Sequence, residues 1–190
     1  VCSAGVTNHF ITLVVAIGST ATAASCATTV QHLGEEAEFA LRLAPATFGK
    51  QAAYAQRLTV LSDPKLPSIE AYLEVDQQHL QLAFLAAGRT AGTLSWNGTA
   101  LQSHTSIPIP DALSADRILT DVQLVWWPTE VIASALGRQG FELRLGENQR
   151  TVVKNGRPLV IANFEYTGTT TLVTLDHLNR YRLSIESVPQ

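Results

Sequence analysis

The sequence predicts a mainly β fold of the α+β kind: a strongly curved antiparallel sheet, or half-open β-barrel, of about 9 to 11 strands with an inserted two-helix lid. Three observations carry that expectation. Apolar and polar residues alternate with period two through most of the chain, as in Ile69, Ala71, Leu73 and Val75 against Glu70, Tyr72, Glu74 and Asp76. Turn residues separate the runs, above all Asn97-Gly98 and Asn155-Gly156, which favour tight hairpins and therefore antiparallel neighbours. One stretch near the middle switches to three- and four-residue spacing, and a long twisted sheet leaves a concave face for such a helical insert to fill.

In chain order, residues 10–17 (FITLVVAI) are an apolar run followed by small residues and then Cys26. That is the order of an export signal's apolar region and cleavage region. The run falls short of the roughly 20 apolar residues that a spanning helix needs. Residues 1–34 contain no Lys, Arg, Asp or Glu, and the chain contains no Met, so its start at Val1 reads as an unusual start codon or a truncation. Residues 1–25 are expected to be a signal peptide, 26–38 a tether and 39–190 a single domain.

Phe39, Leu41 and Leu43 alternate with Ala40 and Arg42 and suggest a first strand. Leu58 and Val60, then Leu80, Leu82 and Phe84, continue the pattern after Pro45, with Asp76-Gln77-Gln78 and Ala87-Gly88-Arg89 as turns between runs. Asn97-Gly98 separates a strand ending in Leu94 and Trp96 from one containing Leu101. A helical pair is expected over residues 114–137: Ile118, Leu119, Val122, Val125 and Trp126 form one apolar stripe, with Asp111 or Ser114 as cap. Pro128 ends that helix and suits the first turn of a second, in which Glu130 faces the helix N-terminus. Val131, Ile132, Ala135 and Leu136 make the second stripe before Gly137 stops it. Strand patterning resumes at residues 141–145 and runs through 151–154, 159–166, 172–175 and 181–185.

Thirteen Lys and Arg against sixteen Asp and Glu give a net charge of −3, without the basic excess that nucleic-acid binding requires. With 46% apolar and 15% charged residues, the chain should fold in water rather than remain disordered. Common catalytic, phosphate-binding and metal-binding motifs do not occur, so an enzyme, a cofactor and a metal are all unexpected. His32, His79, His104 and His177 are scattered singly and are expected to be solvated, as is the acidic row of Glu70, Glu74 and Asp76. Trp96, Trp126 and Trp127 remain; such residues either line a site for a lipid-like ligand or simply pack between helix and sheet.

Ala23-Ala24-Ser25-Cys26 resembles the lipobox of bacterial lipoproteins, although Ala23 stands where Leu is usual and the basic region before the apolar run is missing. The resemblance implies that Cys26 carries lipid and begins the mature chain. With Ala27 rather than Asp next, it implies an anchor on the periplasmic face of the outer membrane. Removal of Cys2 with the signal would leave no partner for a disulfide.

A second resemblance rests on ILTDVQLVWWP at residues 118–128, preceded by LQLAFLAAGRTAGTLSW at 80–96 and followed by YRLSIE at 181–186. Over about residues 45–187 the chain is similar to an uncharacterised family of proteobacterial lipoproteins associated with aryl-polyene-type lipid gene clusters. Its most specific element is Asp121-Val122-Gln123-Leu124 with Trp127-Pro128. That family resembles the LolA and LolB lipoprotein carriers, whose half-open barrel and helical lid hold acyl chains. The resemblance implies a lipid or acyl-chain ligand, a LolA-like periplasmic carrier as partner, and no catalytic residue.

The leading expectation is therefore an outer-membrane-anchored periplasmic lipoprotein that binds an acyl or polyene lipid, or a lipoprotein's lipid moiety, and helps to deliver or insert it. Leu82, Phe84, Leu94, Trp96, Val122, Trp126 and Trp127 are the candidate cavity residues. The alternative is a structural or adaptor lipoprotein with a packed core that engages protein partners, and a lipid-ester hydrolase or transferase comes third.

Overall fold

A computed structural model describes residues 39–106, 114–178 and 180–190. The expected signal peptide, lipidation site at Cys26 and tether, together with His32 and the alternative cap at Asp111, lie outside the described residues. A 3-10 turn at Pro45–Phe48 precedes strands β1 (Ala52–Val60), β2 (Ile69–Val75), β3 (Leu80–Ala86), β4 (Arg89–Trp96) and β5 (Leu101–Thr105). Helices α1 (Ala115–Trp126) and α2 (Thr129–Arg138) follow, and then β6 (Glu142–Gly146), β7 (Gln149–Lys154), β8 (Arg157–Thr167), β9 (Thr170–His177) and β10 (Tyr181–Pro189). The described strands form one open, curled antiparallel sheet of ten, ordered β5-β4-β3-β2-β1-β10-β9-β8-β7-β6. The expected half-barrel with an inserted helical pair is thus observed.

Each half of the sheet is a meander of sequence neighbours, and β1 joins the halves by pairing with β10 from Tyr54↔Pro189 to Val60↔Leu183. Period-two patterning selects the concave face. Ala71, Leu73 and Val75 on β2, Leu80, Leu82 and Phe84 on β3, and Val173, Leu175 and His177 on β9 are all buried, while Glu70, Tyr72 and Glu74 are exposed. Asp76 closes the β2–β3 turn by accepting the backbone N–H groups of Gln78 and His79.

The turns differ in kind. Asn155 (φ 51°) and Gly156 (φ 78°) both have positive φ, as do Ala87 (φ 49°) and Gly88 (φ 72°), the requirement of a two-residue hairpin turn twisted to match its strands. Asn97-Gly98 is not such a turn. Only Gly98 of that pair is left-handed, at φ 90°, and Asn97 instead accepts the N–H groups of Thr99 and Ala100 through its Oδ1. This makes a longer connection built on a side-chain turn.

Ser114 caps α1 by accepting the N–H of Arg117. Trp127 and Pro128 are extended (ψ 155° and 138°) and separate the helices, as the steric restriction before proline requires. Pro128 is the N-cap of α2 rather than its first helical residue, and α2 continues one residue beyond Gly137 to Arg138. At the other end of α1, Arg150 of β7 donates to the carbonyls of Leu124 (2.7 Å) and Val125 (3.0 Å). A cation there complements both the orphan carbonyls and the helix dipole.

Residues 39–43 correct the expectation of a first strand. They alternate as expected, with Phe39, Leu41 and Leu43 buried, but no described strand pairs with them. Side chains of α1 and of the residue that caps the C-terminus of α2 satisfy their backbone instead. Gln123 accepts the Leu43 N–H and donates to the Leu43 carbonyl, both at 2.9 Å. Gln139 makes the same two-way contact with Ala40 at 3.3 and 2.9 Å, and Thr120 accepts the Leu41 N–H. An amide side chain carries both a donor and an acceptor, so it can mimic a neighbouring strand.

Candidate functional site

Residues 118, 121, 122 and 126 follow helical spacing and share one face of α1. That face looks across the concave sheet onto a cavity of about 530 Å³ lined by β1, β2, β3, β4 and β10 and by the connection before β2. The size falls within the range of small-molecule sites. Most of its lining is apolar, including Leu58, Val60, Ile69, Leu82, Phe84 and Ile185. Space persists because β4 supplies little bulk: Ala91 and Gly92 face the cavity where larger residues would fill it.

A β-bulge shapes that wall. Phe84 pairs with Gly92 and Leu85 with Thr90, so Ala91 is the extra residue. The Ala91 carbonyl accepts the Ser106 N–H at 2.8 Å and the Ser106 hydroxyl at 3.0 Å, which fixes the bulge to the end of β5. A Cβ at Gly92 would stand 3.0 Å from the His104 carbonyl oxygen, so a side chain here would require the β5 backbone to give by a few tenths of an ångström.

Two buried polar side chains break the apolar lining. Gln56 of β1 donates to Ser187 of β10 at 3.1 Å across the seam between the two halves, and both residues are buried. Asp121 of α1 is 4% exposed. It accepts the Tyr181 hydroxyl at 2.5 Å and lies 2.8 Å from Nε2 of His177, whose ring stacks on that of Tyr181 with centroids 4.3 Å apart. With Nε2 protonated, Asp121 accepts two hydrogen bonds in an apolar setting, where an unpaired carboxylate would be prohibitively costly. Burial, and then the Asp121 charge, hold the Tyr181 phenol far above its ordinary pKa, with Arg117 acting weakly the other way. The phenol therefore stays protonated and stays a donor.

The expected cavity residues divide. Leu82, Phe84, Val122 and Trp126 line the cavity, and Trp126 stacks on Tyr54 with centroids 4.2 Å apart. Leu94, Trp96 and Trp127 do not line it. Leu94 lies in the packed core, and the Trp96 indole N–H donates to the Leu43 carbonyl at 2.8 Å. Trp127 is fully buried, donates to the Thr47 hydroxyl at 3.0 Å and packs on Phe48. The cause is common to both tryptophans: residues 39–48 lie against them and supply the polar partner that each indole needs.

His177 is a further correction, being 3% exposed rather than solvated. Its signal was its register, since it continues the inward series of Val173 and Leu175. Asp121 was also missed, although it interrupts the apolar stripe between Ile118 and Val122. Among the described residues, no cluster of His, Cys, Asp and Glu has a metal-binding arrangement, and no helix is long and apolar enough to cross a membrane. No curated protein matches the chain. Residues 53–189, which take in the whole sheet apart from the first residue of β1 together with both helices, match the family described as protein of unknown function DUF3261, and the chain belongs to that family.

Proposed function

We propose that this protein is a lipid-binding lipoprotein, anchored through Cys26 on the periplasmic face of the outer membrane, that takes up an acyl or polyene lipid or a lipoprotein's lipid moiety and helps to deliver or insert it. The observation that carries this reading is the cavity of about 530 Å³ between α1 and the sheet, apolar around most of its wall. Transfer of an apolar chain from water into such a space is favourable by about 25 cal/mol per Å². The same chain loses little on moving from the cavity into a bilayer, so one site can both hold the ligand in water and release it to a membrane. The likeness to LolA and LolB carriers supports the same reading and suggests a LolA-like carrier as the partner that hands over or receives the lipid.

Native mass spectrometry of the full chain isolated from bacterial membranes tests the proposal. A bound species of lipid mass is expected. Leu82→Trp, which fills the cavity, should abolish it, whereas Trp96→Phe, outside the cavity, should retain it. A folded protein that carries no lipid and takes up neither acyl esters nor polyene esters would overturn the carrier reading and leave the packed adaptor.

A further inference from the structure

We infer that the cavity excludes anionic amphiphiles: an acyl or polyene chain bearing a hydroxyl or amide donor is accepted and the matching free carboxylate rejected, with Asp121 as the selecting group. The inference rests on the lipid-binding reading above and adds the chemistry of the ligand's polar end.

The charged side chains on the described lining are Asp121 and Glu70, both acidic. Asp121 is the buried one, and its position is fixed from two sides by Tyr181 and His177. A carboxylate has about four acceptor sites, so after these contacts it can still accept a hydrogen bond from a ligand hydroxyl or amide. A bond of that kind, made to an ionised acceptor, is among the stronger ones. A ligand carboxylate at the same place would meet a like charge with little water to screen it and no lining cation to neutralise it.

The placement of Asp121 along the cavity agrees with a role at the polar end. Glu70, Ala87 and Gly88 are lining residues that are also exposed, which puts the mouth beside the connection before β2 and the β3–β4 turn. Leu61, in that connection, donates its N–H to the Arg182 carbonyl at 2.7 Å, so the start of β10, where Tyr181 holds Asp121, lies at this same end. Trp126 lies five residues further along α1, about 7.5 Å away at 1.5 Å per residue, and stacks on Tyr54 toward the other end of β1. The chain would thus run toward Trp126 and leave its polar group at Asp121. Arg117 is the nearby cation; it touches Tyr181 and is not on the lining.

The test titrates the full chain with 1-monopalmitoylglycerol, methyl palmitate, hexadecylamine and palmitate at about pH 8, where palmitate is ionised, and follows tryptophan emission. Palmitate should bind at least about tenfold more weakly than monopalmitoylglycerol, equivalent to about 1.4 kcal/mol, with the methyl ester between them and the amine no weaker than the ester. Asp121→Asn keeps an acceptor for Tyr181 and should narrow the preference to about threefold or less by improving palmitate binding. Palmitate binding as tightly as monopalmitoylglycerol, or an unchanged preference in folded Asp121→Asn, would overturn the inference and leave the carrier reading standing. If that variant does not fold, an amine weaker than palmitate in the parent protein overturns it equally. Binding of none of the four probes would overturn both readings.

Discussion

Replacing Gln123 by leucine should destabilise the fold by about 2–3 kcal/mol. Gln123 has no exposed surface, and its side-chain amide makes hydrogen bonds of 2.9 Å in both directions with Leu43. Leucine conserves the approximate volume and removes both bonds. The Leu43 carbonyl keeps a partner, because the Trp96 indole N–H also donates to it at 2.8 Å. The Leu43 N–H keeps none from Gln123, so the cost is one net hydrogen bond of about 1 kcal/mol plus about 1–2 kcal/mol for a stranded buried donor. Gln123→Glu should cost more, since its second oxygen would face the Leu43 carbonyl with nothing to donate and bring a charge into the core. Urea unfolding followed by Trp emission gives the midpoint and slope, and hydrogen exchange at the Leu43 amide reports the local opening. A Gln123→Leu midpoint within about 0.5 kcal/mol of the parent protein, with the amide still protected, would refute the argument that side-chain amides hold residues 39–43 in place.

Cys26→Ala should release the protein from the membrane fraction, and continued sedimentation with outer membranes would contradict the anchor. Gly98→Val should lower stability by about 1–3 kcal/mol, because φ is 90° and an added Cβ would meet Pro45 Cδ at 3.4 Å; an unchanged unfolding midpoint would count against that backbone strain. Tyr181 retains its proton in the folded protein to higher pH than in the unfolded chain. Above a pH of about 10 the unfolded state alone loses that proton, so stability should fall as pH rises through this range. Tyr181→Phe should flatten that decline, and a parental slope in the variant would exclude Tyr181 as its source.

The architecture was readable because a single signal recurs. Alternation at Ile69, Ala71, Leu73 and Val75, and at Leu80, Leu82 and Phe84, states which face of each strand is buried and needs no knowledge of the neighbouring strand. The break to helical spacing after Ser114, and the Pro128 corner, are equally local. Residues 39–43 show where this reasoning stops, since alternation reports burial on one side of an extended segment and not the identity of its hydrogen-bond partner. The tryptophans fail for a related reason. Trp126, Trp127 and Trp96 look alike in sequence, and which of them faces the cavity depends on the path of residues 39–48 over the sheet. His177 and Asp121 are separated by 56 positions, and isolated residues at such a distance cannot be paired from one sequence.

The seam between β1 and β10 has a kinetic consequence. Both meanders are assembled from pairings between sequence neighbours, which form quickly because little loop entropy is lost in closing them. Among the described strands, β1 and β10 make the one pairing that is distant in sequence, with Tyr54 opposite Pro189 and Leu58 opposite Ile185. Until it forms, two inner strands are unprotected edges, each able to recruit a strand from another molecule. The same step brings Leu58 and Val60 beside Leu183 and Ile185 and so completes the cavity wall. Anything held against all four residues fastens the last contact to form, and by mass action it stabilises the state in which both edges are hidden. Occupancy of the cavity and resistance to intermolecular strand pairing are thereby linked through one row of backbone hydrogen bonds.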